Sequence, residues 1–244
     1  MEMTTLDTKL DKLSNKYKVV ATKQLAEKFK SMGFVVDEYK ETRVRKASKQ
    51  GYQKHLVRLS NPNILSTKHN DIKLQLLVTN SHDGLSGFSI KLGFFRFVCS
   101  NGLIVGDVFE SVNLRHTGNI IEKVDDAVER MVAQTKKLDD AITAMKLKTL
   151  TEDEQREFIS KAIKLRYPTK DIQDVSIPIL RPEDGENNVF SLYNRVQETL
   201  IRGGNRIRGN NNRLRTARSL NAINAVSKVN EQLFDLANEL SQVA

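Results

Sequence analysis

The chain has 244 residues, 39% of them hydrophobic and 6% aromatic, with no Trp, one Cys and a formal net charge of +9. That length buries a real core, in one large domain or two small ones. The absence of any run near the ~18 apolar residues of a membrane span excludes a transmembrane helix, the polar start Met1–Asp7 has no signal core, and the basic balance points to a polyanionic partner.

In chain order, residues 1–20 show no period and carry many Lys and Asp, so they read as a flexible arm. Thr22 has the chemistry of an N-cap, and Leu25, Ala26, Phe29 and Met32 then share one helical face that stops at Gly33. From Phe34 to about residue 115 the period becomes two, with strands expected over 34–46, 53–60, 72–80, 87–99, 103–109 and 111–116. The turns between them, Asn61-Pro62-Asn63 and Asn80–Gly84, are too short for βαβ crossovers and favour an antiparallel meander. Asn101-Gly102 is the strongest hairpin signal, joining Phe95, Phe97 and Cys99 to Leu103 and Val105.

After Thr117-Gly118 the spacing turns helical. Ile121, Val124, Val128, Met131, Val132, Leu138, Ile142 and Met145 form the first series. Thr151-Glu152-Asp153-Glu154 opens a second helix as a capping box. Residues 168–188 hold three of the four prolines and connect to helices at about 188–201 and 218–241. These features predict an α+β fold. A mostly antiparallel sheet in the N-terminal half is joined by helices in the C-terminal half packed on it, as one domain from residue 21. That domain has a sheet part over 21–118 and a helical part over 119–244 with a basic loop at 202–218.

The positive charge is concentrated. Residues 199–230 contain Arg202, Arg206, Arg208, Arg213, Arg215, Arg218 and Lys228 and no acid, and the middle of that stretch is rich in Gly and Asn. Arginine forks suit phosphate oxygens and bases, and Gly and Asn let the backbone approach a ligand closely. A second basic place, residues 40–58, sets Lys40, Arg43, Arg45, Lys46, Lys49, Lys54 and Arg58 against the single acid Glu41, with Tyr52 and His55 interleaved. Basic residues beside a ring are the elements of a surface that tracks a backbone and stacks bases. A solvated face or linker is the plainer reading of either run. Arg96, between Phe95 and Phe97, and Arg115 at the end of a later strand are placed to meet either a carboxylate of the fold or a ligand phosphate.

Catalytic signals are weak. Cys99, Asn101 and His116 supply the residue types of a thiol nucleophile and its partners, but large apolar neighbours raise a thiol pKa, and Cys99 reads as structural. His82, Asp83 and His116 are the candidates for a divalent metal, at spacings that match no ligand motif. No P-loop or dinucleotide fingerprint is present.

Phe95-Arg96-Phe97-Val98-Cys99-Ser100-Asn101-Gly102-Leu103-Ile104-Val105-Gly106-Asp107 resembles the central motif of the phage- and plasmid-borne proteins grouped as "domain of unknown function 932". The resemblance extends to Thr42–Lys46, Gly51–His55, Asn80–Gly84, Val112–His116 and the segment from Asn194 to Gly204. It implies a mobile element in a bacterial cytoplasm and brings no catalytic residues and no cofactor. Together with the charge it favours a non-enzymatic phage protein that binds single-stranded DNA, or RNA, in replication, recombination or transcription. The phosphate contacts expected are Arg43, Arg45, Lys46, Lys54 and Arg58 along the sheet, with Tyr52 stacking. Arg96 and Arg115 join them, and Arg202, Arg206, Arg208, Arg213, Arg215 and Arg218 close over the strand. Two alternatives stand beside this: a metal-dependent nuclease or modifying enzyme using His82, Asp83 and His116, and a phage accessory factor that binds a host polymerase or defence factor through the acidic helices at 122–157. Phage or host polymerase and replication proteins are candidate partners. A homo-oligomer is compatible with each.

Overall fold

A computed structural model describes residues 6, 8–65, 67–69, 72–97, 104–118, 120–168, 177–208 and 213–242. Its elements run α1 (Thr22–Ser31), β1 (Val35–Glu41), β2 (His55–Ser60), β3 (Lys73–Asn80), β4 (Phe88–Phe97), β5 (Ile104–Leu114), α2 (Ile120–Leu147), α3 (Glu152–Arg166), α4 (Val189–Arg202), β6 (Arg206–Arg208), β7 (Leu214–Thr216) and α5 (Ile223–Gln242). Strands β1 to β5 form one antiparallel sheet in sequence order, and the main helices follow it, so the chain is α+β as its periodicities predict. It divides into two compact units. One is Met1–Phe94 with Val108–Lys136, and the other is Phe95–Asp107 with Lys137–Ala244.

In the first unit, β2 lies between β1 and β3 and all six of its residues are buried. Leu56, Val57 and Leu59 occupy both faces, as an interior strand covered on both sides requires. Among its polar residues Arg58 carries a fixed charge, 2% exposed and 3.4 Å from the Glu38 carboxylate. The sheet register sets that pair: a bulge between Val36 and Glu38 shifts β1 so that Glu38 stands directly opposite Arg58. Arg58 therefore presents no cation to an outside phosphate, contrary to the expectation from charge. Arg58→Ala is expected to cost about 3 kcal/mol, read as a lower urea midpoint, because it strands Glu38 beside an apolar strand. An unchanged midpoint would remove the structural role.

Two local expectations change. Thr22 does not cap α1. Ala21 holds the cap position without a side-chain bond, and the Thr22 hydroxyl lies 2.7 Å from His55 Nε2. The strands expected at 103–109 and 111–116 are one strand, β5, since Glu110-Ser111 contains no residue that forces a turn. Cys99 and Asn101-Gly102 lie outside the described residues.

In the second unit, α4 is the central helix. Val189, Leu192, Tyr193, Val196, Leu200 and Ile201 are all buried on it, and α5 contributes Leu233, Phe234 and Ala237. Helix α3 starts where the sequence says: Thr151 accepts from the Glu154 N–H at 3.2 Å and the Thr151 N–H donates to the Glu154 carboxylate at 2.8 Å. Asn188 caps α4 by accepting from the Ser191 N–H at 2.8 Å.

Candidate nucleic-acid interface

The acid-free basic segment runs from the end of α4 through β6 and β7, which pair as a two-stranded hairpin, into α5; residues 209–212 lie outside the described residues. β6 and β7 pair antiparallel, Arg206 opposite Thr216 and Ile207 opposite Arg215. Side chains alternate along a strand, so Arg215 and Thr216 face opposite ways, and Arg206 shares the Thr216 face. The hairpin thus carries arginine on both faces, not on one closing surface. Arg206, Arg213, Arg215 and Arg218 are exposed. Arg202, at the end of α4, is turned to the Glu198 carboxylate at 3.0 Å and belongs to the base of the hairpin. The side chain of Arg208 lies outside the description.

The base is built closely. The Gly204 N–H donates to the Ala217 carbonyl at 2.9 Å, the Ala217 N–H to the Asn205 carbonyl at 2.8 Å, and the Leu220 N–H to the Ile201 carbonyl at 2.8 Å. The Arg166 guanidinium, from the end of α3, donates to the carbonyls of both Leu200 and Arg218. It ties the last turn of α4 to the returning strand, where helix-end carbonyls lack intrahelical donors. Burial lowers the Arg166 pKa, and the neighbouring Tyr167 opposes that shift. Charge alone did not single out Arg166, because its role depends on a segment 52 residues away.

The other basic segment divides. Strand β1 ends at Glu41 and β2 begins at His55, so Arg43, Arg45 and Lys46 stand exposed on the connection at one end of the sheet and not along its face. Lys54 and Tyr52 are half-buried. Burial, then the charge of Lys91, lowers the Lys54 pKa. The Tyr52 carbonyl accepts from the His82 N–H at 2.9 Å. Arg96 lies on β4, and its side chain is outside the description.

Three of the short segments behind the resemblance, Gly51–His55, Asn80–Gly84 and Val112–His116 at its Arg115-His116 end, come together in the first unit. The His55 and His82 rings are 5.5 Å apart, and Thr22 lies within reach of both. Asn80 donates to the Val20 carbonyl at 2.9 Å. Residues 8–20, which read as an arm, are bonded against these segments: Leu10 N–H to the His82 carbonyl at 3.3 Å, Tyr17 hydroxyl to the Ser81 carbonyl at 2.8 Å and Lys18 N–H to the His116 carbonyl at 2.8 Å.

His116 is 6% exposed and stacks on Tyr17 at 4.6 Å. Its Nδ1 lies 3.0 Å from the Lys18 carbonyl, so Nδ1 carries the proton and Nε2 is a bare acceptor. Nε2 is buried and has no hydrogen-bond partner among the described residues. Burial pulls the His116 pKa below the ordinary 6.5, against the raising effect of the Lys18 carbonyl. The unfolded chain then binds a proton that the native ring refuses. The stability this neutral ring contributes is present above about pH 6.5 and is lost as the pH falls toward the depressed folded pKa. Wild type is expected to lose more stability than His116→Gln between about pH 7 and pH 5 in urea titrations; parallel curves would contradict this.

His82, Asp83 and His116 do not converge on a metal position. His82 Nε2 faces Thr22 and Asn80, while the Asp83 carboxylate accepts from the Leu85 N–H at 3.0 Å and lies 3.9 Å from Lys49. No group of three or more His, Cys, Asp or Glu able to hold a metal occurs among the described residues. No helix among them is long and apolar enough to cross a membrane.

The model of the family described as "Domain of unknown function (DUF932)" matches residues 9–228. Two proteins of Escherichia coli (strain K12), UPF0380 protein YfjQ and UPF0380 protein YafZ, are each 27% identical to the chain over 237 residues, covering 96% of it and 86% of the relative. No solved structure matches.

Proposed function

For a chain that belongs to the domain of unknown function 932 family, we propose the role of a non-enzymatic single-stranded nucleic-acid-binding protein. The observation that carries this reading is the acid-free stretch 199–230, with Arg206, Arg213, Arg215 and Arg218 exposed on and beside a two-stranded ribbon. Such a ribbon offers guanidinium groups on both faces, which suits a flexible strand that wraps it better than a stiff duplex that lies on one side. Arg43, Arg45 and Lys46 add a second cationic place for the same backbone. The resemblance to phage- and plasmid-borne proteins supports extending the proposal to a role in the replication, recombination or transcription of a mobile element in a bacterial cytoplasm.

Fluorescence anisotropy with labelled single-stranded DNA, RNA and duplex of one sequence tests the reading. Tighter binding to a single strand than to duplex is expected at about 0.1 M salt. An oligonucleotide that stays unbound at about 10 µM chain would exclude it.

A further inference from the structure

A groove lies beside His116. It measures about 280 Å³ and is formed by three stretches of the first unit: Ser14–Tyr17, the turn Gly84–Gly87, and Arg115–Thr117. Lys16 and Arg115 are exposed at its walls, and none of the described residues lining it is acidic. Among the described residues neither cation has a carboxylate partner. The Ser86 and Thr117 hydroxyls line the same space. The nearest acid in sequence, Asp83, is not a lining residue: its carboxylate accepts from the Leu85 N–H at 3.0 Å and lies 3.9 Å from Lys49. Tyr17 stays protonated, its pKa pushed up to about 12 by burial and then by Asp83, so it adds no negative charge.

We propose that this groove is a binding site for a phosphomonoester, the terminal phosphate of a nucleotide, held between Lys16 and Arg115 with His116 beneath it. Two cations with no carboxylate partner among the described residues match a doubly charged terminal phosphate better than the single charge of an internal diester. His116 adds the second, independent sign. Its Nε2 is a buried acceptor with no donor among the described residues, a costly state for a polar atom, and His116 is one of the residues lining the groove. An anion overhead reverses that cost: Nε2 takes a proton and donates to a phosphate oxygen, while Nδ1 keeps its bond to the Lys18 carbonyl. The size suits a phosphate and its sugar, below the range of most larger ligands. The site stands without the basic hairpin, which belongs to the other unit.

The phosphate source is a free nucleotide or the phosphorylated end of a strand, and calorimetry on the full chain separates them. AMP and inorganic phosphate are expected to bind and adenosine is not. Lys16→Ala with Arg115→Ala, both at exposed positions, is expected to weaken AMP by at least about tenfold with an unchanged circular dichroism spectrum. By NMR, saturating AMP is expected to raise the pH at which the His116 ring titrates. A chain in which the hairpin arginines are replaced by Ala serves for the strand comparison. Preference there for a 5′-phosphorylated over a 5′-hydroxyl oligonucleotide supports the site with a strand end as its ligand; AMP binding without that preference supports it with a free nucleotide. AMP binding no better than adenosine, AMP binding untouched by the double substitution, or a His116 ring that ignores AMP would each overturn the assignment. None of these results depends on whether the hairpin binds a strand.

Discussion

Replacing Arg206, Arg213, Arg215 and Arg218 together by Ala is expected to weaken single-stranded DNA binding by about a hundredfold at about 0.1 M salt. The size follows from four exposed guanidinium groups, each giving a charge-assisted bond worth somewhat under 1 kcal/mol in a solvated setting. The effect on stability is expected to be small, because these four side chains are exposed and the base of the hairpin is held by main-chain bonds and by Arg166. The salt dependence should also flatten, by about 0.7 in slope for every phosphate of a single strand that no longer meets an arginine. A quadruple variant that binds within about threefold of wild type would place the ligand elsewhere on the chain. Arg43→Ala with Arg45→Ala and Lys46→Ala is the natural comparison, since it removes one exposed cationic place of the other unit.

Gly203→Ala is expected to be the most destabilising small substitution at the hairpin base, at about 3–4 kcal/mol. Gly203 has φ 79° and ψ −148°, a region open almost only to glycine. A Cβ there would also stand 2.6 Å from the Ala217 carbonyl oxygen and 2.7 Å from the Arg218 carbonyl, both backbone atoms that cannot rotate aside. Gly204 separates the two causes. Its φ is 92°, but a Cβ on it meets nothing within 4 Å. Gly204→Ala therefore carries strain without collision and is expected to cost about 1–2 kcal/mol. Urea midpoints of the two variants give the comparison, and equal midpoints would mean that the returning strand yields to the methyl group. Because Gly203 N–H also closes α4 on the Thr199 carbonyl at 3.1 Å, the substitution should reach the helix as well as the ribbon.

What the sequence discloses about this protein is set by how local each signal is. The capping box at Thr151–Glu154 is complete within four residues, so the start of α3 is readable directly. The two-residue period across β2 and β3 and the helical spacing after Ile120 are readable for the same reason. Thr22 is not. Its hydroxyl is taken by a histidine 33 residues away, a competitor that no local rule contains. Arg58 misleads in the same way: within a run of cations it reads as surface charge, and only the register of β1 shows Glu38 opposite it. The ribbon escapes because three-residue strands in a Gly- and Asn-rich stretch carry no apolar alternation, and their pairing extends a ladder begun at Gly204 and Ala217.

The candidate sites divide along the same line. Charge density is a property of composition, so the two basic places could be found without the fold. That Arg43, Arg45 and Lys46 sit on a connection, and that hairpin arginines face both ways, are consequences of strand ends and register. The groove at Lys16, Arg115 and His116 draws on residues nearly a hundred positions apart, and Lys16 and Tyr17 lie in a segment with no period at all. The resemblance did mark Arg115-His116 and Asn80–Gly84, and the fold supplies the reason the two belong together.

The salt dependence of single-stranded DNA binding by the intact chain tests the central claim most directly. With about six phosphates engaged, log K should fall with log salt at a slope near −4. Binding that is absent, or whose affinity does not change with salt, would contradict an arginine-borne interface.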